Sequence, residues 1–207
     1  MLIPIHEEMM REALSRHFSP RALEAMIAAN LKQDAWRGQI GHDEYHFDNN
    51  AIDKGNHYIV EQRSCVIASL HTPDLLSAWT AFGRLLHTAQ DFYSHTNYIS
   101  MWLDRYKGTP PPPSEIDPIQ KGLLRSPSLH SGKIYLPMDV LYFIPLLRKF
   151  SLKLLPGNSH GRMNLDSPQQ GPNFSYARAA AVKRTQYEFE LLQKLLTPEL
   201  LARFVDK

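Results

Sequence analysis

Among its 207 residues the chain has a single cysteine, Cys65. A lone thiol excludes an intrachain disulfide framework and any zinc site built on paired thiolates. A bound metal would have to be held by His, Asp, Glu or the backbone. Long apolar runs are missing too, and none approaches the roughly 20 residues that cross a bilayer as a helix. The opening Met1-Leu2-Ile3-Pro4-Ile5-His6 has neither the basic n-region nor the apolar h-region of a secretory leader. A cytoplasmic location is expected for the chain as it stands, and a secreted one if it is a processed form. Charge of one sign is not in excess: 23 Lys and Arg face 21 Asp and Glu, a formal charge of +2, with both signs interspersed. No basic block is present to track a phosphate backbone, so stable nucleic-acid binding is not expected. Repeats, domain linkers and convincing strand pairs are absent as well.

What is present reads almost entirely as helix. The length suits one domain with a substantial core, and 43% of the residues are hydrophobic. The pattern predicts a first helix over 6–16. A second starts at Ser19 as N-cap and Pro20 as N1 and runs through Asn30 towards Gln33, with Leu23, Ile27 and Leu31 as its apolar stripe. Residues 38–50 read as a polar loop and 51–70 as a third helix. Thr72-Pro73 opens a long central helix to about Arg105, which Gly108 and the prolines Pro110 to Pro113 end. An irregular, Pro-rich excursion covers about 108–136 and has the length of a lid or surface flap. Residues 141–155 read as helix despite Pro145, 156–172 as loop, 177–196 as helix, and Thr197-Pro198 starts a short final one. The fold class is all-α, one helical bundle over 1–207.

The chemistry concentrates in His87-Thr88-Ala89-Gln90-Asp91-Phe92-Tyr93-Ser94-His95. His, Asp and His at i, i+4 and i+8 form a ladder on one helix face, because four residues turn the chain about 40° past a full turn. Trp79, Phe82, Leu85 and Leu86 flank it, so the ladder faces a packed interior. Three ionisable groups are costly to bury unless paired or bound to a metal. His87 with Asp91 alone would be an ordinary helix pair; His95 on the same face turns it into a ligand set. Other donors are Asp34 after the second helix, a dense loop of His42, Asp43, His46 and Asp48, and His160 with Asp166 downstream. Asp43 and Asp48 read as solvated loop residues. His6 opens the first helix, where the dipole disfavours a protonated imidazole but not a neutral one holding a metal. His17, His57, His71 and His130 have no such partners and read as surface or core. His42-Asp43 is similar to the HD phosphohydrolase dyad, though the dipeptide alone is common.

Taken in order, His6-Glu7-Glu8-Met9, Asp34, Tyr45-His46-Phe47-Asp48-Asn49, Leu86 to Asn97 with its QDFYSH run, and His160-Gly161-Arg162-Met163-Asn164-Leu165-Asp166 resemble the Het-C (heterokaryon incompatibility) family. That family is similar to the zinc-dependent phospholipases C and, more remotely, to the S1/P1 nucleases. The resemblance implies a helical bundle of the phospholipase C/P1 nuclease type around two or three zinc ions. It implies one zinc on Asp34, His46, His87 and Asp91. Asp91 would bridge to a second, shared with His6 and the mature N-terminal residue. A third would sit on His95 and a downstream pair, for which His160 with Asn164 or Asp166 is on offer.

The function this suggests is a metal-dependent phosphoric-ester hydrolase, phospholipase C-like, in which the zinc cluster activates water. Asp34 and Asp91 are the catalytic carboxylates: both offset the charge of the cluster, and Asp34 can orient the water as a general base. The expected partner is a small-molecule or lipid phosphoester. Phe47, Phe92, Tyr93 and Tyr98 lie near the ladder and can line a groove, although each reads first as core. The alternatives are a non-catalytic Het-C-like interaction or signalling protein, a nuclease or nucleotidase, and a redox enzyme with iron in the same donors; manganese also suits them. Oligomeric state is left open.

Overall fold

The computed structural model describes residues 1–35, 38, 41–142, 144 and 146–207. Among these, regular structure is all helix, in one compact domain, and pairing outside helices is limited to isolated bridges between Thr96 and Ser131 and between Lys133 and Ser159. The main helices are α1 (Ile3–Leu14), α2 (Pro20–Leu31), α3 (Asp43–His46), α4 (Ile52–Leu70), α5 (Leu75–His95) and α6 (Tyr98–Leu103). They continue with α7 (Lys121–Leu124), α8 (Met138–Tyr142), α9 (Arg148–Leu154), α10 (His160–Met163), α11 (Asn173–Leu195) and α12 (Pro198–Val205). No helix among the described residues is long and apolar enough to cross a membrane.

The axis of the fold is α5, with α2, α4 and α11 packed around it and α1 laid against α2 and α11. Every side chain from Leu85 to His95 is buried, so this half of α5 is enclosed on all sides. Its other half carries the apolar core, where Phe18 meets Phe82, Phe189 and Phe204 at ring-centroid distances of 6.2, 4.9 and 5.1 Å. Trp79 Nε1 donates to Phe204 O at 2.9 Å and pins α12 there. The approach of α2 to α5 is close enough to need a glycine: a Cβ on Gly83 would lie 2.2 Å from Met26 O and 2.9 Å from the Ala29 Cβ.

Several boundaries differ from the sequence expectation, each for a local reason. Helix α2 begins as expected, with Ser19 Oγ accepting from Ala22 N at 3.1 Å. Helix α1 starts earlier, at Ile3, so His6 sits inside its first turn and is fully buried. The cap of α5 is Asp74 rather than Thr72, its side chain accepting from Ser77 N at 3.1 Å. The long central helix does not reach Arg105. It stops at His95, because Thr96 is extended and Asn97 is claimed from outside: its N–H donates to His130 O at 3.0 Å and its side chain to Ser128 O at 2.9 Å. The 38–50 loop holds α3 and a tight turn over Asp48–Asn50; Gln39 and Ile40 lie outside the described residues. The 141–155 helix is instead α8 and α9, and Pro145 lies outside the described residues. The Pro-rich excursion is a strap. Ile116 is fully buried, and backbone carbonyls of Ile116, Asp117 and Pro118 accept from Lys183 Nζ, Tyr98 OH and Tyr93 OH at 2.8, 2.6 and 2.7 Å.

Gly83→Ala is therefore expected to destabilise the domain by roughly 1–3 kcal/mol, the usual cost of overpacking, read as a lower urea midpoint with unchanged slope. Retention of the wild-type midpoint would mean that α2 can shift away from α5 without loss.

Candidate metal centre

The ladder on α5 is the spine of the site. His87 Nε2 and His46 Nδ1 lie 3.1 Å apart, and Asp91 Oδ2 is 3.1 and 3.0 Å from them. Asp34 Oδ1, on the turn that follows α2, is 3.7 Å from His87 Nε2. With metal–nitrogen bonds of about 2.0–2.1 Å, the edge of a tetrahedral zinc site is about 3.3 Å, and these separations bracket it. The other oxygen of Asp91 faces the opposite way, 3.2 Å from His6 Nε2 and in contact with the amine of Met1. One buried carboxylate thus presents its two oxygens to two different sets of donors.

A second group forms where α5 ends. Asp48 Oδ1 is 2.8 Å from His160 Nδ1 and 3.5 Å from His95 Nδ1, and Asp166 Oδ1 is 3.0 Å from His95 Nε2. His46 and Asp48 belong to different groups although one residue separates them. The residue between them makes this possible: Phe47 is left-handed, with φ 58° and ψ 24°, a genuine outlier for a bulky side chain. Its ring is fully buried 5.1 Å from that of Phe92, which anchors the turn in the core. The segment around Gly132 stitches the pieces together. Gly132 N donates to His95 O at 3.0 Å, Asn49 N to Gly132 O at 2.9 Å, and His160 N to Lys133 O at 2.8 Å. A Cβ on Gly132 would fall 2.7 Å from His160 Cα.

Outer partners orient several imidazoles. His6 Nδ1 donates to Gln90 Oε1 at 2.7 Å, His87 Nδ1 to Asn30 Oδ1 at 3.3 Å, and His95 Nδ1 to His46 O at 2.7 Å. Each bond directs the Nε2 lone pair inward. Gln90 also accepts from Asn30 Nδ2 at 3.2 Å and donates to Thr185 Oγ1 at 3.0 Å, so the network reaches α11. His6 Nε2 and His46 Nε2 are buried without a hydrogen-bond partner, an arrangement that is costly for a polar atom. Burial drives the His87 imidazole down to about 4, against the pull of Asp91. His160 goes the other way: burial is outweighed by Asp48, which raises it to about 9. The Asp91 carboxyl is held well below the usual carboxylate range; burial opposes this, and the Met1 amine, His87, His95 and His6 outweigh it.

The cleft between the two groups has a volume of about 200 Å³ and is lined by Asp34, His46, Asp48, His95, His160 and Asp166, with Met1, Leu2 and Ile3 at its wall. No Lys or Arg is among these lining residues. Of the residues expected at the site, His6, Asp34, His46, His87 and Asp91 lie together in the first group and His95, His160 and Asp166 in the second. Asn164 joins neither. Its side chain donates to Tyr142 OH, His160 O and Gly161 O, so it braces α10 instead. Asp48 corrects the expectation of a solvated loop residue: it is 7% exposed and joins the second group. Asp43 stays outside both groups but is not a solvated loop residue: it opens α3, is half-buried and accepts from Asn49 Nδ2 at 2.9 Å, and His42 pairs with Glu44 and stacks on Tyr45 away from the cleft. Phe47, Phe92, Tyr93 and Tyr98 are core. The signals that sequence reading passed over were Asn30 and Gln90, amides at positions that helical periodicity assigns to a buried face, and the alternation His46-Phe47-Asp48.

Residues 5–107 match the family model of the VWA7 N-terminal domain. Comparisons with curated proteins and with solved structures return no match. The family match overturns the resemblance to the Het-C family, and nothing supports a relationship to phospholipase C or P1 nuclease. The reason is physical: the boxes that carried that resemblance are short runs of His and Asp, which any site with this donor chemistry needs whatever its ancestry. The matched stretch includes His6, Asp34, His46, Asp48, His87, Asp91 and His95, and leaves out His160 and Asp166.

The His160–Asp48 pair yields a pH signature in chelated protein. A folded value near 9 against about 6.5 in the unfolded chain gives stability that is full below about pH 6.5 and lost as pH rises to about 9. Thermal unfolding in excess chelator should therefore show a melting temperature that falls across this window, and His160→Gln should flatten the fall. The same slope in wild type and variant would remove His160 as its source.

Proposed function

We propose that the chain is a metal-dependent phosphoric-ester hydrolase working with two or three zinc ions. One observation carries this reading: Asp34, Asp48 and Asp166 line one small cleft with His46, His95 and His160, and Asp91, His6 and His87 lie buried directly behind it, with no Lys or Arg in the described lining. Buried carboxylates at this density need cations; the Met1 amine on Asp91 and Asp166 and His160 on Asp48 supply part of that charge, and bound metal ions would supply the rest. A donor set of nitrogen and oxygen without sulfur fits zinc, and by the same logic iron or manganese. Asp34, His46, His87 and Asp91 would hold one ion, Asp91 with His6 a second, and Asp48, His95 and His160 with Asp166 a third. Ions held there supply an acidified water as nucleophile and stabilise charge on a phosphoryl group.

The residues of the chain do the rest. Asp34 stands at the cleft wall, where it can orient the attacking water and take its proton. The water oxygen bonds to phosphorus, the bond from phosphorus to the ester oxygen breaks, and the alcohol leaves with the proton that the water gave up, which is hydrolysis of a phosphoric ester. A cleft of about 200 Å³ admits a phosphate group and leaves the esterified part outside, which favours a small-molecule or lipid phosphoester. Gln90 and Asn30 keep His6 and His87 aimed without touching substrate.

Protein purified without added metal should contain two to three equivalents of zinc by elemental analysis and hydrolyse an aryl phosphodiester, with a rate that falls on the acid side as imidazoles protonate. Chelation should lower the melting temperature, because metal bound only to the folded state stabilises it. Loss of an outer partner costs a metal site about 10–100-fold, so His46→Ala, His87→Ala and Asp91→Asn should each cost more than that in activity, with Asp91→Asn losing most metal. Zinc-loaded protein that cleaves no aryl, lipid or single-stranded nucleic-acid phosphodiester at neutral or alkaline pH would support a non-catalytic role, and iron in place of zinc a redox one.

A further inference from the structure

We infer that the face formed by the described residues of 133–162 docks on the surface of an anionic lipid bilayer. The stretch carries the largest concentration of exposed apolar side chains in the described chain. Leu136 is 74% exposed, Leu146 91%, Leu154 57%, Phe150 55%, Val140 53% and Ile144 43%. This is not a failure of the short helices to pack. Helix α8 buries Asp139 and Tyr142 while Val140 points out, and α9 buries Ser151, whose hydroxyl donates to Met138 O at 2.6 Å, while Phe150 and Leu154 point out.

The charges say what covers the face. Residues 133–162 contain Lys133, Arg148, Lys149, Lys153 and Arg162, and one acidic residue, Asp139. Asp139 is 2% exposed and turned inward, accepting from Tyr135 N at 2.6 Å and Gly161 N at 2.8 Å. The outward charge of the face is therefore of one sign. Apolar side chains that enter the boundary between headgroups and acyl chains, ringed by Lys and Arg that meet anionic headgroups, are the chemistry of a peripheral bilayer contact. A second copy of the chain fits worse, since a two-fold contact would set these cations against one another. The docking is peripheral, because no described helix can cross a membrane. Asp139 joins α8 to α10 at Gly161, beside the cleft residue His160. Leu2 and Ile3, 53% and 49% exposed, lie at the cleft wall.

This inference does not rest on the hydrolytic reading, and the test separates them. The full chain, in excess chelator, is sedimented with phosphatidylcholine vesicles with and without phosphatidylserine. Wild type should bind the phosphatidylserine vesicles, release them as salt rises, and leave pure phosphatidylcholine in the supernatant. Lys149→Gln combined with Lys153→Gln should weaken the partition coefficient roughly 30-fold, from the worth of two lysines near an anionic surface, and Leu146→Glu should reduce it at least as far. Leu146 is almost wholly exposed, so Leu146→Glu should keep the wild-type melting temperature and metal content. Equal binding to both lipids, no binding to either, or variants that bind like wild type would overturn the proposal. So would a dimer in sedimentation velocity that Leu146→Glu dissociates.

Discussion

The constraint on which the rest of the molecule depends is the burial of Asp91. Its side chain is 1% exposed at the centre of the domain, and an ionised carboxylate there is tolerable only with partners on every side. The fold supplies them from widely separated stretches of chain. His6 comes from α1, His46 from α3 and His87 from one turn earlier on α5, with the Met1 amine on the far oxygen. Helices that bring these groups together also bury the apolar faces that stabilise the domain, so core and site cannot be varied separately. Replacing a donor leaves an uncompensated charge inside the bundle, which costs more than the contact itself.

Where α5 stops matters as much as where it runs. Another helical turn beyond His95 would carry Thr96 and Asn97 away from the 128–132 segment and remove the bridge from Thr96 to Ser131. That segment brings Gly132 against His160, and His160 against Asp48. The left-handed Phe47 does the corresponding work on the other side by sending His46 and Asp48 in different directions. Strain at one buried aromatic residue and an early helix end thus make a second donor group next to the first.

The ladder His87, Asp91, His95 was legible in the sequence because helical geometry alone places i, i+4 and i+8 on one face. The caps at Ser19 and Thr197 were legible from a hydroxyl before proline, and both accept from the backbone; the same signal at Thr72-Pro73 misplaced the start of α5, because Asp74 takes the cap. What depended on long-range contacts was not legible. Thr96 and Asn97 are weak helix formers inside a longer helical pattern, and the claims of Ser128 and His130 on Asn97 make the break at His95. Asp48 looked like any acid in a polar loop until the left-handed turn drew it inside. The family resemblance misled because donor residues in order record a chemistry, and chemistry recurs on unrelated chains.

The two donor groups also differ in how they are held. In the first group His87 and Asp91 are fixed on a helix enclosed on all sides, and Asn30 and Gln90 lock the rings from behind. In the second, Asp48 and His160 come from a strained turn and a four-residue helix, tied down through the carboxylate of Asp139 and the backbone of 131–133. The first group is thus held by regular helix, and the second by a turn and loop contacts. Asp139 belongs equally to α8 in the exposed apolar face, so contact made there is mechanically continuous with the second group.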